Sequence, residues 1–461
     1  AMGTLGGEDV GIYRELMKNL QKQGKISTEG VTYDPYGKPS DLPFEAVILA
    51  LVVDAHSVDT AAPGDYVEVL LPKTNFYIEA GGQVSDTGII QSNNWEIKIS
   101  AVRKPAAGII VHVGEVISGS PKIGDKVVAQ VDGQRRKDIM RNHTATHLLH
   151  AALDTVLGHH ARQAGSLVAP ERLRFDFTHP EAITSDEIEQ IETYVNQKIL
   201  QGFRLTTQHK SLQQALDDGA RALFGEKYGE TVRNVVIGEA DDYFSNELCG
   251  GTHCKNVNEI GTFIITSEGS AAAGIRRIEA VTGIAAYKLI QRRLRTINQA
   301  AEILTTTPDQ LIEKAQSALS DIKNMRGQIS NLRHNLAAAD FTRVLDNSAQ
   351  IRDVNVLTAV LKDADIDSLR QMADRFKQRY SERGVAVLAS VINERPIIIA
   401  AVTNDLVKRG LKAGDLVNFV AKPLGGGGGG KPTLAQAGGK DASKLDQSLK
   451  NVPNWVKDNL H

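Results

Sequence analysis

The sequence predicts a multidomain α+β fold, in which a small β-barrel, an α+β domain, a helical hairpin and a C-terminal α/β domain follow one another. Three observations support this prediction. The chain has 461 residues, which is enough for about three domains. Its composition, 41% hydrophobic and 23% charged, is typical of globular proteins. Segments with the two-residue alternation of strands are followed by segments with the three- and four-residue spacing of helices.

The composition also limits the class of protein. Lysine and arginine number 53 and aspartate and glutamate 55, which gives a net charge of -2. No run of about 18 apolar residues occurs, so we expect no membrane span. The two cysteines, Cys249 and Cys254, do not form a disulfide framework and suit a reducing compartment, so we expect a cytoplasmic protein. Nucleic-acid binding stays open, because it depends on local basic patches.

The first two predicted domains are a short N-terminal helix and a β-rich domain. Residues 1–30 contain the amphipathic segment "EDVGIYRELMKNLQKQG", which ends at Gly24. Residues 31–134 consist of short alternating segments such as "DYVEVLL" and "WEIKISAV", with turn residues between them. This pattern is typical of a barrel or a sandwich, and we expect a small β-barrel.

Residues 135–283 mix helices with strands, which predicts an α+β domain. The first helix, which begins near Asp138, should end at Gly158. Further along, "RLRFDFTH" alternates as a strand and "SDEIEQIETYVNQKIL" is an amphipathic helix. The segments "RNVVIGE", "GTFIITSEG" and "IRRIEAVTG" predict three more strands.

Residues 284–346 predict a helical hairpin. The segment "TTTPDQL" interrupts it, with Thr307 as the expected N-cap and Pro308 as the first helical residue. In the second helix apolar residues recur at three- and four-residue steps from Leu311 to Leu336, which is coiled-coil spacing. This apolar stripe either packs inside its own hairpin or forms the seam of a homodimer.

Residues 347–461 alternate strands with helices, which predicts a compact α/β domain. This domain contains the low-complexity stretch "GGGGGGKPTLAQAGG", Gly425 to Gly439. Such a run is either a flexible linker or a backbone that can approach a ligand closely. Lys431 adds a cation, but no Ser or Thr follows it, so the stretch is not a phosphate-binding P-loop.

Two pairs of residues predict a metal site. His143 and His147, in "HTATHLLH", are four residues apart and share one helix face. Zinc proteases use the same spacing but need Glu directly after the first histidine, where Thr144 stands. Cys249 and His253 are also four apart, around a Gly-Gly turn. A thiolate and three imidazoles suit tetrahedral Zn²⁺; the alternative is that the two pairs lie apart and bind nothing.

Two nearby residues should lie outside the ligand set. Cys254 is one residue too far along to share the turn geometry, and we expect it to be a spare thiol. His150 lies one helical turn beyond His147, so we expect it at the surface or in a supporting position beside the site. Four protein ligands usually make a structural zinc site, whereas a catalytic site keeps one position open. The sequence leaves open which of the two this is.

The motifs together resemble one family. "HTATHLLHAAL" followed by "CGGTHC" is similar to the editing domain of alanyl-tRNA synthetases. "YIEAGGQVSDTG", Tyr77 to Gly88, resembles the glycine-rich motif of the barrel that precedes that domain, and the C-terminal glycine stretch resembles the family's DHHA1-type domain. The resemblance implies an ATP-dependent alanine–tRNA ligase as the parent. We expect this chain to correspond to its C-terminal half, without the aminoacylation core.

The resemblance implies zinc-dependent hydrolysis of tRNA(Ala) mischarged with serine or glycine. Gln163 and Thr252 are the expected substrate-pocket residues. The alternatives without a function are a solvent-facing loop amide for Gln163 and a turn hydroxyl for Thr252. The pocket border implied by the family is formed by Gly81, Gly82, Gln83 and Asp86. The alternative is that these four residues only form a tight turn.

The resemblance also implies partners. Arg276, Arg277 and Lys431 are the expected contacts to tRNA(Ala). The alternative for the two arginines is that one pairs with a carboxylate and the other lies in solvent. A homodimer through the hairpin and the C-terminal domain is a further expectation. The competing hypothesis for the whole chain is a non-catalytic tRNA-binding scaffold with a structural zinc.

Overall fold

A computed structural model describes residues 9–37, 42–222, 228–239 and 242–460. The chain forms two compact units, residues 1–296 and 297–461. Strands and helices are mixed in both, which confirms the predicted α+β class. Residues 1–8 of the predicted N-terminal segment lie outside the described residues. Within the described part of the chain, no helix has the length and apolar character needed to span a membrane.

The first unit begins with one helix and a curled antiparallel sheet. The helix is α1 (Asp9–Lys22), and the strands are β1 (Thr32–Tyr33), β2 (Phe44–Val47), β3 (Ala50–Val53), β4 (His56–Val58), β5 (Tyr66–Leu70), β6 (Lys73–Thr74), β7 (Gly88–Gln91), β8 (Glu96–Ala106), β9 (Ile109–Ser118) and β10 (Lys126–Val131). Eight of these strands form one sheet in the order β2-β10-β7-β8-β9-β5-β3-β4. Only Ile48 and Leu49 separate β2 from β3, so a single bent segment joins both sides of the sheet and curls it around its core.

The core of the curled sheet follows from the alternation in the sequence. Buried and outward-facing residues alternate in β10 and in the first part of β8, where Ile97, Ile99, Val127 and Ala129 are buried. Such alternation is what a strand with one buried face requires. We refer to this sheet as the barrel.

The rest of the first unit is an α+β domain. Its elements are α2 (Gly133–Leu157), β11 (Gln163–Val168), β12 (Leu173–Thr178), α3 (Ser185–Gln201), β13 (Leu205–Ser211), α4 (Leu212–Asp217), β14 (Thr231–Glu239), β15 (Asp242–Leu248), β16 (Phe263–Ala272) and β17 (Ile275–Thr282). The strands form two sheets, β11-β12-β17-β16 and β13-β14-β15. The strands and helices predicted from the alternation and periodicity of this region are present.

Helix α2 is the central element of this domain. Asp132 caps its N-terminus by accepting a hydrogen bond from the amide of Arg135, and Gly158 ends it, as predicted. Residues 142–153 are all buried. Its apolar side chains, such as Leu148 and Leu149, pack in the core with Phe175, while its histidines occupy the opposite side. A helix buried on all sides cannot show a clean amphipathic pattern.

Two long helices follow. Helix α5 (Gly283–Ile303) spans the boundary between the two units, and α6 (Leu311–Leu345) belongs to the second. A short 3₁₀ turn from Pro308 to Gln310 precedes α6, with Thr307 at its N-cap position but without a side-chain capping hydrogen bond.

The apolar stripe on α6 is exposed. Six of its residues expose between 43% and 68% of their surface: Leu319, Ile322, Met325, Ile329, Leu332 and Leu336. Packing inside the hairpin therefore does not bury the stripe. The homodimer seam stays a prediction.

The second unit also contains a mixed six-stranded sheet. Its elements are β18 (Ala349–Ile351), β19 (Val354–Val360), α7 (Ile366–Arg379), β20 (Gly384–Ile392), β21 (Arg395–Val402), α8 (Asn404–Lys408), α9 (Ala413–Ala421), β22 (Gly427–Lys431), β23 (Leu434–Gly438), α10 (Leu445–Lys450) and α11 (Val452–Asn459). The sheet order is β18-β19-β20-β21-β23-β22, and only β19 and β20 pair in parallel. The glycine stretch is thus not a linker, because it forms the edge strand β22, paired with β23.

Candidate metal centre and adjoining cavity

Four donor atoms converge where α2 meets the loop that follows β15. His143 and His147 lie on successive turns of α2, and their rings stack with centroids 5.6 Å apart. Cys249 and His253 lie in the loop. One ligand atom from each of the four residues lies within 4.8 Å of all the others. The fold therefore brings together the two pairs that the sequence spacing singled out.

The orientation of His143 is set by a glutamine of the barrel. The Nδ1 atom of His143 lies 2.6 Å from Oε1 of Gln83. The backbone amide of Thr252 donates to the same oxygen at 2.9 Å, and Nε2 of Gln83 donates to the hydroxyl of Thr252 at 2.9 Å. A backbone amide can only donate, so the atom facing Thr252 is an acceptor. Nδ1 of His143 must then carry the proton, which leaves its Nε2 free to bind a metal.

The other two histidines are held in the same way. Nδ1 of His147 lies 2.7 Å from Oε2 of Glu247, and Nδ1 of His150 lies 3.0 Å from Oε1 of the same carboxylate. Nδ1 of His253 lies 3.4 Å from the hydroxyl of Thr144. Hydrogen bonds at Nδ1 fix which nitrogen of a ligand histidine faces the metal. His150 is buried beside the site, which is the supporting position that the sequence left as one of two options.

The residues fit Zn²⁺. The Nε2 atoms of His143 and His253 each lie 3.3 Å from Sγ of Cys249. Nε2 of His147 is buried and has no hydrogen-bond partner among the described residues. A buried nitrogen without a partner is costly, and a metal ion at the centre of the cluster would satisfy it. One thiolate and three imidazole nitrogens are donors that suit tetrahedral Zn²⁺. Cys254 is not part of the cluster.

The electrostatics favour a thiolate beside a neutral imidazole. Burial opposes ionisation of Cys249, but the surrounding histidines, with His143 the largest contributor, outweigh it and hold the pKa of Cys249 well below its usual range. Burial lowers the pKa of His253 to about 3, so this ring is neutral and can donate a lone pair. By contrast, burial raises the pKa of Cys254 to about 12, so it stays a thiol.

His147 and Glu247 form a coupled pair. Burial disfavours a charge on His147, but Glu247 outweighs it and raises the pKa of His147 to about 10. Burial also disfavours the Glu247 carboxylate, but the two histidines that contact it hold its pKa well below the usual range. Without a metal, His147 is therefore protonated near neutral pH.

The loop between Cys249 and His253 requires glycine. A Cβ atom on Gly251 would lie 2.0 Å from Cε1 of His143 and 2.9 Å from Oε1 of Gln83. Distances this short are not possible for a side chain beside a rigid ring. The second glycine of "CGGTH" therefore allows the loop to come close enough to α2 for the four donors to converge.

A cavity of about 160 Å³ adjoins the metal cluster. Besides cluster residues it is lined by Tyr77, Ala80, Gly81, Thr146, Gln163, Ser166, Glu247, Leu248, Gly250 and Gly251. A second cavity of about 620 Å³ is lined in part by His150 and shares Gln163 with the first. The predicted pocket residue Gln163 thus lines both cavities.

The other predicted pocket residue, Thr252, is placed differently. Among the residues that line the smaller cavity in the described chain, Thr252 is absent. Its hydroxyl is occupied by the hydrogen bond from Gln83. The tight loop thus places the Thr252 hydroxyl against Gln83, and a substrate-facing role for Thr252 stays a prediction.

The predicted pocket border is only partly at the cavity. Gly81 lines it, and Gly82, with a φ of 80°, belongs to the same turn. Gln83 is fully buried behind the metal ligands, and Asp86 is 1% exposed. The Asp86 carboxylate accepts from Nε of Arg136 at 2.8 Å. Asp86 therefore anchors the barrel to α2 and does not border the cavity.

The predicted tRNA contacts lie on two strands. Arg276 of β17 makes two hydrogen bonds to Glu268, at 2.6 and 2.8 Å. Arg277 makes two to Asp176, at 2.7 and 2.9 Å. Both arginines thus pair with carboxylates, whereas the alternative expected this of only one. Lys431, at the end of β22, is exposed.

Family models match three parts of the chain. Residues 232–279 match the model described as the threonyl and alanyl tRNA synthetase second additional domain. Residues 11–135 match the model described as tRNA synthetases class II (A), and residues 353–458 match the DHHA1 domain.

Curated relatives match almost the entire chain. An alanine–tRNA ligase from Desulforamulus reducens is 40% identical over 466 residues, which cover 97% of this chain and 52% of the relative. One from Clostridioides difficile is 41% identical over 431 residues, covering 94% and 48%. The chain belongs to the alanyl-tRNA synthetase family. It spans about half the length of the curated relatives it matches.

One solved structure is similar to part of the chain. The C-Ala domain of Aquifex aeolicus alanyl-tRNA synthetase is 26% identical, with a TM-score of 0.23, over 24% of this chain and 97% of that domain. The family membership rests on the sequence matches and not on this similarity.

Sequence reasoning did not identify three residues of this alanyl-tRNA synthetase site. Glu247 stands two residues before Cys249, and its carboxylate in "NELCGG" was the one available signal. Thr146, between the two α2 histidines, lines the cavity. Tyr77 also lines it, from the start of the glycine-rich motif. For Thr146 and Tyr77, nothing in the local sequence distinguishes them from ordinary helix and turn residues.

We expect zinc affinity to increase with pH. Because Glu247 raises the pKa of His147 to about 10, a metal ion must displace the Nε2 proton at any lower pH. Cys249 and His253 are already deprotonated, so displacement of the His147 proton should by itself make the Kd fall by about tenfold per pH unit between pH 6 and 9. Chelator competition over this range would measure the slope. A Kd that does not change with pH would contradict the expectation.

Proposed function

We propose that this chain hydrolyses the ester bond of tRNA(Ala) mischarged with serine or glycine, at the metal cluster between α2 and the loop after β15. The observation that carries the proposal is that a four-donor cluster, able to hold a metal ion, adjoins a cavity whose volume of about 160 Å³ suits a small aminoacyl group. The second-additional-domain match to residues 232–279 supports it.

The chemical need for such a site is clear. A pocket built for alanine cannot strongly reject glycine, which is smaller, or serine, which adds only a hydroxyl. Differences of this size are worth about 1–3 kcal/mol in binding, so accurate selection requires a second, hydrolytic site.

The cavity offers polar groups for a small aminoacyl ester. The amide of Gln163 donates to the hydroxyl of Ser166 at 3.3 Å, and both side chains line the cavity. A seryl hydroxyl could replace Ser166 as the partner of this amide. The adjoining cavity of about 620 Å³ leaves room for the terminal nucleoside that carries the ester.

The metal ligands and their partners have separate roles in this proposal. Bound Zn²⁺ would supply positive charge that polarises the ester or positions the substrate. Both oxygens of Glu247 are engaged by His147 and His150, so this carboxylate orients a ligand and is not a free base. The hydroxyl of Thr146 donates to the carbonyl of His143 at 2.6 Å, which leaves its oxygen as an acceptor toward the cavity.

Contact with tRNA(Ala) completes the proposal. Arg277 has the more accessible side chain of the two β17 arginines, 40% exposed against 15% for Arg276. Each guanidinium keeps N–H groups beyond the two that its carboxylate occupies, so phosphate contact remains chemically possible for both. In the second unit, Lys431 and the exposed glycine strand β22 are proposed to contact the same RNA.

A deacylation assay tests the hydrolytic function. We expect the zinc-loaded chain to release serine from seryl-tRNA(Ala) at least about tenfold faster than alanine from alanyl-tRNA(Ala), with glycyl-tRNA(Ala) as a second substrate. Gln163→Met should slow serine release by about 2- to 12-fold, which corresponds to one net hydrogen bond of roughly 0.5–1.5 kcal/mol.

Two outcomes would contradict the proposal. Equal hydrolysis of seryl- and alanyl-tRNA(Ala) would exclude selective editing. Binding of tRNA(Ala) without hydrolysis of any ester would favour the alternative, a non-catalytic scaffold with a structural zinc.

A further inference from the structure

A buried glutamine of the barrel contacts two parts of the metal cluster at once. Gln83 is fully buried, and its side chain lies between His143 of α2 and Thr252 of the loop. Its Oε1 accepts two hydrogen bonds, from Nδ1 of His143 at 2.6 Å and from the amide of Thr252 at 2.9 Å. Its Nε2 donates to the Thr252 hydroxyl at 2.9 Å. All three contacts join elements that are distant in sequence.

The backbone around Gln83 is itself fixed. The amide of Gln83 donates to the carbonyl of Ala80 at 3.0 Å, which closes a tight turn. On either side of Gln83, Val168 of β11 donates to the carbonyl of Gly82 at 2.7 Å and accepts from the amide of Val84 at 3.0 Å. The glutamine side chain is therefore presented from a turn that cannot easily shift.

We propose that Gln83 is a positioning residue for the metal centre: it holds His143 in the tautomer whose Nε2 faces the ion, and it fixes the loop that carries Cys249 and His253. The barrel thereby supplies part of the metal site, although it contributes no ligand. The inference rests on the metal centre of the proposed function but not on ester hydrolysis, so the two can fail separately.

The physical argument is that two ligand-bearing segments share one acceptor atom. Without Oε1, the Nδ1–H of His143 and the amide of Thr252 would both be buried without a partner. The ring of His143 would then be free to rotate or change tautomer, and the loop would lose its hydrogen bond to the barrel turn. Removing a hydrogen-bond partner of a metal ligand typically weakens metal binding by about 10- to 100-fold.

The test compares two substitutions of Gln83. Gln83→Met has a similar shape but no acceptor, and we expect its Kd for Zn²⁺ to rise by about 10- to 100-fold. In Gln83→Glu the carboxylate can accept from His143 and from Thr252, so we expect nearly unchanged zinc affinity. Chelator competition measures both. The visible absorption of the Co²⁺-loaded forms reports the ligand geometry, and we expect it to change in Gln83→Met but not in Gln83→Glu.

A matched control separates this inference from the proposed function. Gln163→Met makes the same chemical change beside the cavity, where its amide contacts Ser166 and no metal ligand. We expect this variant to bind zinc normally even where serine release is slowed. If seryl-tRNA(Ala) is not hydrolysed by any variant, the zinc measurements still decide the role of Gln83.

Three results would overturn the inference. One is an unchanged Zn²⁺ Kd in Gln83→Met. Another is an equal loss in Gln83→Glu and Gln83→Met, which would indicate a general packing role and not acceptance of hydrogen bonds. If Gln83→Met does not fold, Thr252→Val keeps the inference testable, because it removes the partner of the Gln83 amide. We expect weaker zinc binding in that variant, and unchanged binding would count against the inference.

Discussion

Replacing Cys249 with alanine should abolish stable zinc binding and, with it, hydrolysis of seryl-tRNA(Ala). The substitution removes the only thiolate of the cluster. Loss of a ligand's hydrogen-bond partner alone costs about 10- to 100-fold in metal affinity, so loss of a ligand should cost more than about 100-fold. Elemental analysis after dialysis against a chelator, combined with the deacylation assay, measures both effects.

Cys254 provides the matched control for this substitution. It is buried, five residues away, and outside the cluster. Cys254→Ala should retain one zinc ion per chain and normal hydrolysis. Retention of zinc by Cys249→Ala would show that the cluster is not the metal site, and full hydrolysis by zinc-free protein would exclude a catalytic or pocket-forming role for the metal.

Breaking the ion pair between Asp86 and Arg136 should destabilise the first unit by about 3–5 kcal/mol. Both side chains are only 1% exposed. Nη1 of Arg136 also donates to the carbonyl of Pro35 at 3.0 Å, and Asp86 accepts from the amide of Tyr77 at 2.6 Å. Asp86→Asn leaves the guanidinium buried without a counter-charge, and removing one partner of such a pair carries a cost of this size.

Denaturant unfolding can measure this loss within the first unit. Trp95 is buried in the barrel, and a Trp455→Phe background restricts the fluorescence signal to it. Lys210→Met is the control, because Lys210 pairs with Asp218 in the same unit where the two side chains are 24% and 54% exposed. That pair should contribute at most about 1 kcal/mol. A difference of less than about 1 kcal/mol between Asp86→Asn and the control would contradict the expectation.

The four members of the candidate metal cluster could be predicted because short-range spacing determines each pair. His143 and His147 lie on one helix face by helix geometry alone, and Cys249 and His253 lie in one tight loop. That the two pairs meet could be inferred only from the complementary donor types, because 106 residues separate Cys249 from His143. The α+β class and most of the strands could also be predicted, because short-range periodicity determines local secondary structure.

The partners of the ligands could not be predicted from spacing. Gln83 contacts His143 across 60 residues, and Glu247 contacts His147 across 100. No local pattern encodes such contacts, since they depend on how the barrel turn and β15 are packed against α2. The contact between the Thr252 hydroxyl and Gln83 could not be predicted for the same reason. The position of Thr252 between two ligands says that it is near the metal but not which way the loop turns its hydroxyl.

For the exposed stripe on α6 and for the glycine strand, the local pattern was clear but the packing of the segment could not be predicted from it. Apolar spacing predicts a helix correctly, but it does not say whether the apolar face is covered in one chain. A glycine run looks like a linker in sequence, and only its pairing with β23 shows that it is a strand.

The glycine strand has a consequence for which substitutions this edge of the sheet can accept. A Cβ atom on Gly428 would lie 2.0 Å from the carbonyl oxygen of Gln436, and one on Gly430 would lie 2.6 Å from that of Leu434. At Gly429, by contrast, no atom lies within 4 Å of the added carbon. From Gly426 to Gly430, the run therefore consists of two interleaved sets of positions. In one set, close strand packing demands glycine, while the other is sterically open to variation between homologous chains.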